Sequence, residues 1–247
     1  MKFKKGLCSI SFRSISPEKI LAYMKKAGLL VIEWGSDVHA PKDDIERLKY
    51  ITKLQKEYQI KCSSYGTYFR LGVTPIYELD GYIKAAKILG TDILRLWCGN
   101  KNSEEYTPAE RTVLFKECRA AANIAEQNGV TLCMECHGNT YTNTKESAYE
   151  LMQEVNSESF RMYWQPNQNK TLAENLEYAK LLSMYTVNIH IFNWKGREKY
   201  PLKKAVDIWK QYLACFDKDK TLLLEFMPDG NIESLEKEAQ SLEEITE

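Results

Sequence analysis

The chain has 247 residues, and 34 Lys and Arg balance 34 Asp and Glu, so its formal net charge is zero. That balance offers no basic face for nucleic acid and no polybasic patch for a membrane surface, and no run approaches the roughly 20 apolar residues of a membrane span. The length suits one large domain, since α/β barrels use about 250 residues as one.

The opening MKFKKGLCSISFRS is charged, with neither a long apolar run nor a small-residue cleavage site, so no signal peptide is expected. Leu7–Phe12 reads as a first strand. Ser16-Pro17-Glu18 then starts a helix, with Ser as the cap and Pro at the first helical position, and Gly28 ends it. Leu29–Trp34 is a second apolar strand, followed by a loop carrying His39. Residues 43–58 are helical, 60–64 form a third strand, and its loop holds Tyr65, Tyr68 and Arg70. A helix over 77–89, a strand over 93–97 with Arg95 inside it, and a long helix from Thr107 to Asn128 follow.

Val130–Met134 is the fifth strand and runs into Glu135 and His137. Two apart on an extended backbone, these two side chains point to the same side. Helix 146–155 leads to strand 160–164, which ends in Gln165-Pro166-Asn167-Gln168. Helix 172–184, strand 187–192 with His190, a loop with Lys195 and Arg197, helix 205–216 and strand 221–226 with Glu225 complete the pattern, before an amphipathic tail helix over 232–246. Eight strands, each followed by a helix, argue for parallel pairing through right-handed crossovers. Eight units in this length favour one (β/α)8 TIM barrel domain over residues 1–247. An open doubly wound sheet is the alternative, but no GxGxxG follows the first strand. Seven cysteines, an odd number and mostly in apolar runs, suit buried reduced thiols in a cytoplasmic protein. Cys133-x-x-Cys136 is a lone pair and a weak zinc or redox signal.

In a barrel the carboxyl ends of the strands gather at one mouth. His39, Arg95, Glu135, His137, Gln165, Gln168, His190 and Glu225 all sit at that end, and they include every histidine of the chain. A Glu inside Leu222–Phe226, or an Arg inside Ile93–Trp97, is costly to bury unless paired or bound to a cation. Glu135, Gln165, His190 and Glu225 offer two carboxylates, an imidazole and an amide oxygen, a set that suits one divalent metal such as Mn, Mg, Zn or Co. Other readings stand beside this one. Arg95 and a glutamate could form a buried ion pair, His190 could be a satisfied core histidine, and His39 could be structural. Arg95, Lys195 and Arg197 could meet a substrate phosphate or carboxylate. Trp34 and Trp97 at strand ends could wall a sugar, or pack the barrel rim.

Through Ile32–Pro41, Met134-Glu135-Cys136-His137-Gly138, Asn188-Ile189-His190 and Leu224-Glu225, the chain resembles the xylose isomerase-like TIM barrels. That group holds sugar and sugar-phosphate isomerases and epimerases and is related to endonuclease IV. The resemblance implies a metal held by Glu135, Gln165, His190 and Glu225, with Glu135 and Glu225 as acid and base on opposite faces of a carbohydrate substrate and an enediolate between. It also implies a small-molecule partner and an option of homodimers. The family's strand-six pattern is Asp-x-x-His, whereas this chain has Gln165-x-x-Gln168, so the donor set loses one negative charge. The expectation is a metal-dependent isomerase or epimerase. The alternative is a catalytically silent barrel that binds a carbohydrate or a partner. A multi-zinc DNA phosphodiesterase is disfavoured by three histidines and a neutral charge.

Overall fold

Alternate residues of a strand point to opposite sides of a sheet, and here the two sides enter two separate cores. The computed structural model describes residues 2–247. Eight parallel strands close on themselves: β1 (Lys4–Cys8), β2 (Val31–Gly35), β3 (Lys61–Leu71), β4 (Ile93–Cys98), β5 (Thr131–Glu135), β6 (Phe160–Trp164), β7 (Thr186–Ile191) and β8 (Thr221–Leu224), with β8 paired back to β1. Outward residues such as Ile32, Leu94, Leu96, Leu132, Met134, Ile189 and Leu222 join the helices in one large apolar cluster. Inward residues form a smaller one, Cys8, Ile10, Val31, Cys133, Tyr163 and Leu223.

The eight expected helices are all present: α1 (Pro17–Lys26), α2 (Ile45–Tyr58), α3 (Leu79–Leu89), α4 (Pro108–Asn128), α5 (Lys145–Val155), α6 (Leu172–Leu182), α7 (Val206–Leu213) and α8 (Leu235–Thr246). Ser16, Asp44, Thr107, Thr144 and Thr171 each accept a hydrogen bond from the backbone N–H three residues on, which satisfies an otherwise orphan donor at the helix start. Among the described residues no helix is long and apolar enough to cross a membrane. All seven cysteines are free. Cys133 and Cys136 lie in different cores, so this CxxC does not bring two thiols together.

Three elements differ from the sequence reading. The first strand stops at Cys8, and Ser9–Phe12 is a 3-10 turn, because the Ser9 hydroxyl leaves the ladder to accept the Gly35 N–H at 2.9 Å. The third strand continues to Leu71, with a register break between Gly66 and Arg70. The eighth ends at Leu224, and Phe226 turns away with φ at +54° while its N–H donates to Ser11 Oγ. The loop after β7 also folds into a short antiparallel ribbon, Trp194–Lys195 with Glu198–Lys199.

Gly66 is where the fold makes room for its centre. A Cβ there would meet Glu33 Oε1 at 2.6 Å and Arg95 Nη2 at 2.9 Å. Only a residue without a side chain lets β3 pass these two buried groups. Gly66→Ala should therefore destabilise the protein by about 1–3 kcal/mol, measured as a lowered urea midpoint with unchanged slope. An unchanged midpoint would show that the pair has slack.

Candidate active site

On six strands the residue two positions past an inward apolar or neutral residue is polar or charged. Val31 precedes Glu33, Ile93 precedes Arg95 and Cys133 precedes Glu135. Tyr163, Asn188 and Leu223 likewise precede Gln165, His190 and Glu225. The period of two stacks these pairs, giving a polar layer above a plug of mostly uncharged residues near the carboxyl ends of the strands.

Arg95 lies at the middle of that layer, 1% exposed. Its Nε donates to Glu33 Oε1 at 3.0 Å and its Nη1 to Glu135 Oε2 at 2.5 Å. Glu33 Oε2 also accepts from Ser64 Oγ, and Glu135 Oε2 from Trp97 Nε1 at 2.6 Å. The guanidinium thus neutralises one carboxylate and shares the second. Below, the Tyr163 hydroxyl lies 3.1 Å from Ser64 Oγ and accepts from Asn188 Nδ2 at 3.2 Å.

The second feature surrounds His190 Nδ1. Gln165 Oε1 is 2.9 Å away, Glu135 Oε1 3.5 Å and Glu225 Oε2 3.7 Å. Four side chains expected to hold a metal therefore place one donor atom each in a small volume. Three of those atoms are oxygens with lone pairs only, and a neutral His190 can bring a fourth lone pair. Such a gathering needs positive charge, either a proton on the imidazole or a cation shared by all four. Opposite, His190 Nε2 is buried without a hydrogen-bond partner, 3.8 Å from Glu33 Oε1. With its proton on Nε2, on the Glu33 side, His190 turns the Nδ1 lone pair toward Gln165, Glu135 and Glu225, as a metal ligand would. The residues present fit a divalent cation. Cys8, His190 and Glu225 also offer ligand atoms within 4.8 Å of one another.

The two carboxylates at this point differ. Burial would raise Glu135, but Arg95 and then His190 overcome it and hold its carboxyl well below the ordinary range. Glu225 has no such partner. Burial lifts its pKa above the ordinary value and Glu135 adds to that, against His190 and Arg95. Glu33, opposed by burial and held by Arg95, falls to about 2. His190 is raised although burial works against it, because Cys8 and Glu225 favour its charged form. Glu135 is thus held as an anion, whereas burial favours the neutral form of Glu225.

The remaining expected residues fall in several places. Trp97 and His137 are at the mouth, ring centroids 5.7 Å apart, and His137 Nδ1 lies 2.6 Å from the Gly138 carbonyl oxygen. His137, Gln165 and Gln168 line a cavity of about 210 Å³ that also touches Asn143, Asn167 and Tyr178. Lys195 and Arg197 are exposed on the ribbon, whose Trp194 stacks on Phe192 and Phe226. Arg95 is committed to Glu33 and Glu135 rather than left for substrate, so the ion-pair reading describes it. Trp34 faces helix α2, giving Nε1 to Gln55 Oε1 at 3.0 Å, and does not wall the pocket. His39 is buried against Trp34 with Nε2 3.0 Å from the Ile15 carbonyl, outside the polar layer. Glu33, Ser64, Tyr163 and Asn188 belong to the site but were not singled out. Glu33 carried the same signal as Glu225, a carboxylate inside an apolar strand. A larger cavity of about 630 Å³ lies at α8, between Pro201, Lys203, Asp229 and Lys237, and none of the polar-layer residues lines it.

The model of the xylose isomerase-like TIM barrel matches residues 21–168. A 3-dehydroshikimate dehydratase of Bacillus anthracis is 25% identical over 170 residues, 64% of this chain, and the match spans only 60% of that relative's length. Among solved structures, a probable 3-DHS dehydratase of Bacillus anthracis involved in petrobactin synthesis superposes with a TM-score of 0.83 at 19% identity, covering 98% of this chain and 99% of that one. A D-psicose 3-epimerase with D-tagatose from Clostridium cellulolyticum H10 gives 0.70 at 14%, covering 98% and 97%. A Mycobacterium smegmatis protein of this fold in complex with magnesium gives 0.70 at 13%, covering 99% and 97%.

The Glu33–Arg95 pair makes a stability prediction. Glu33 titrates near 2 in the folded chain and near 4.3 when unfolded, so its contribution is full above about pH 5 and is lost as pH falls toward 2. Glu33→Gln should cost about 3 kcal/mol at pH 7 and flatten the fall in Tm between pH 5 and 2. A variant with the wild-type acid profile would show that Glu33 is not the titrating group.

Proposed function

We propose that this chain, which belongs to the xylose isomerase-like TIM barrel family, enolises a polyhydroxylated ketone, with Glu225 as the base. The observation that carries this reading is the unequal pair at His190 Nδ1: Glu225 with a raised pKa and no hydrogen-bond donor on its carboxylate, Glu135 tied to Arg95 and Trp97. Two carboxyl groups whose environments push their pKa values apart mark an acid–base assignment.

Glu225 takes the proton from the carbon beside the substrate carbonyl, and the electron pair moves to the carbonyl oxygen as an enediolate. A divalent cation held by Glu135, Gln165, His190 and Glu225 would polarise the carbonyl and hydroxyl oxygens and stabilise that charge. Arg95 keeps Glu135 ionised and in place, and Trp97 Nε1 fixes the same carboxylate from the mouth. The enediolate then has two exits. It can expel the hydroxyl of the next carbon as water, with His137 supplying the proton, or take a proton back on the other face.

The first exit, dehydration, fits this site better. Epimerisation needs a second group that alternately holds and releases a proton, and Arg95 favours the ionised form of Glu135. The similarity to a 3-dehydroshikimate dehydratase supports the same choice. An epimerase or isomerase remains the second enzymatic reading, favoured by Glu135 Oε1, which carries no hydrogen bond and faces the same centre. The silent-barrel reading also has an observation behind it: a proton on His190 Nδ1, donated to Gln165 Oε1, satisfies that pair without any metal.

Three measurements separate these readings. The purified protein should hold about one divalent cation per chain by elemental analysis, as four donors on one centre imply, and lose it in Glu135→Gln and Glu225→Gln. Incubated in D2O with hydroxylated ketones, it should exchange the α-proton, and Glu225→Gln should slow that exchange by at least about 100-fold. Enone absorbance would identify dehydration, and deuterium retained in an intact sugar would identify epimerisation. Full exchange by Glu225→Gln would overturn the base assignment, and a protein that takes up no Mn²⁺, Mg²⁺, Zn²⁺ or Co²⁺ and exchanges nothing would establish the silent barrel.

A further inference from the structure

Of the chain's eight arginines, five have a carboxylate oxygen within 4 Å: Arg13, Arg95, Arg111, Arg119 and Arg161. Arg47 gives its Nε to the His39 carbonyl and Arg197 sits on the exposed ribbon. Arg70 is different. It lies at the mouth end of β3, partly buried, and among the described residues it has no carboxylate partner. Its guanidinium stacks 4.3 Å from the centroid of Trp97, the indole that donates to Glu135. Nη1 donates to the Gly99 carbonyl at 2.9 Å and more distantly to that of Asn139 at 3.4 Å.

Those bonds use only the Nη1 corner. Nε and Nη2, the edge that receives a carboxylate with two parallel hydrogen bonds, have no partner among the described residues. Burial works against the charge of Arg70, and Glu135 is the first group that favours it. A partly desolvated cation held over an aromatic face, with two N–H groups of one edge unpaired among the described residues, suits an anion. The surrounding charges allow one: Glu33 and Arg95 cancel, and a divalent cation would cancel Glu135 and Glu225, because Gln165 adds no charge.

We propose that Arg70 binds a carboxylate of the substrate, so that the molecule enolised is a polyhydroxylated keto acid rather than a neutral ketose. This rests on the enolising reading above and names its substrate class. Trp97 fixes the scale: one side chain separates Arg70 from Glu135, so the anionic group lies within a few bonds of the reacting carbon. The open edge offers two N–H groups in one plane, matching the two oxygens of a carboxylate. A phosphate presents three oxygens and a larger charge, which a planar pair of N–H groups matches less well. The role first expected of Arg95, Lys195 and Arg197 thus passes to Arg70.

The test is calorimetric titration of the protein with its natural metal complement against three ring polyols: quinate (carboxylate), myo-inositol (neutral) and myo-inositol 1-phosphate. None has a ketone, so binding is read apart from turnover. Wild type should bind quinate at least about 10-fold more tightly than myo-inositol. Arg70→Gln should erase that preference, and Arg70→Lys, which keeps the charge but not the fork, should retain only part of it. Circular dichroism and Tm of both variants report folding; if Arg70→Gln does not fold, Arg70→Lys carries the comparison. Three results would overturn the proposal: no binding of quinate or no preference over myo-inositol, a preference that survives in Arg70→Gln, or a preference for the phosphate. A variant that loses Tm with unchanged selectivity would make Arg70 a staple between loops. Any of these with α-proton exchange still dependent on Glu225 leaves the enolising reading standing; exchange independent of Glu225 removes that reading instead.

Discussion

The Arg95 guanidinium between Glu33 and Glu135 is the constraint around which the barrel is arranged. Three charges sit where water does not reach, and each is tolerable only because the other two are there. Removing one partner would leave a buried charge uncompensated, which is why so much nearby serves the pair. Gly66 clears the space, Ser64 occupies the second oxygen of Glu33, and Trp97 caps Glu135. A barrel interior filled by aliphatic side chains would be simpler to stabilise. This one carries a polar layer, and its charges are tolerated because Arg95 pairs with both Glu33 and Glu135.

From that constraint the inequality of the two site glutamates follows. Glu135 is the carboxylate Arg95 can reach, so it stays ionised. Glu225 comes from the strand after His190 and leaves its ladder at Leu224, with its N–H given to the Ile191 carbonyl and its carboxylate free. Phe226, held at a positive φ by Ser11, turns the chain directly after it. Holding a bulky residue in that backbone region costs about 1 kcal/mol or more. The strain is stored at the point where the direction of one carboxylate matters.

How much of this was legible depends on what each signal reports. Apolar runs and helix caps report periodicity, so the eight strand–helix units and the closed barrel could be read directly. Strand ends could not: Ser9 leaves the ladder for a contact made by Gly35, and β3 runs on past a glycine whose purpose is set by Glu33 and Arg95 on other strands. Glu135, Gln165, His190 and Glu225 were legible as a group because polar residues in apolar strands are conspicuous. Glu33 was equally conspicuous in Val31–Gly35, a carboxylate inside an apolar strand just as Glu225 is. Trp34 and His39 were assigned to the mouth on position alone, and position at a strand end does not say which side a ring takes. The free edge of Arg70 was beyond reach, since it depends on partners that are missing.

Trp97 joins the two halves of the site. Its Nε1 holds Glu135 and its face carries Arg70, while Tyr68 and His137 pack around the same indole. A shift of this ring would move the fixed carboxylate and the open guanidinium together. An anion bound at Arg70 presses on the same side chain that orders Glu135, so its binding energy can be used to align the reacting carbon rather than merely to retain the molecule. A neutral substrate would fill the pocket without engaging that linkage. On this geometry discrimination between keto acid and ketose is expressed in the chemical step as well as in affinity, because recognition and proton transfer share one rigid support.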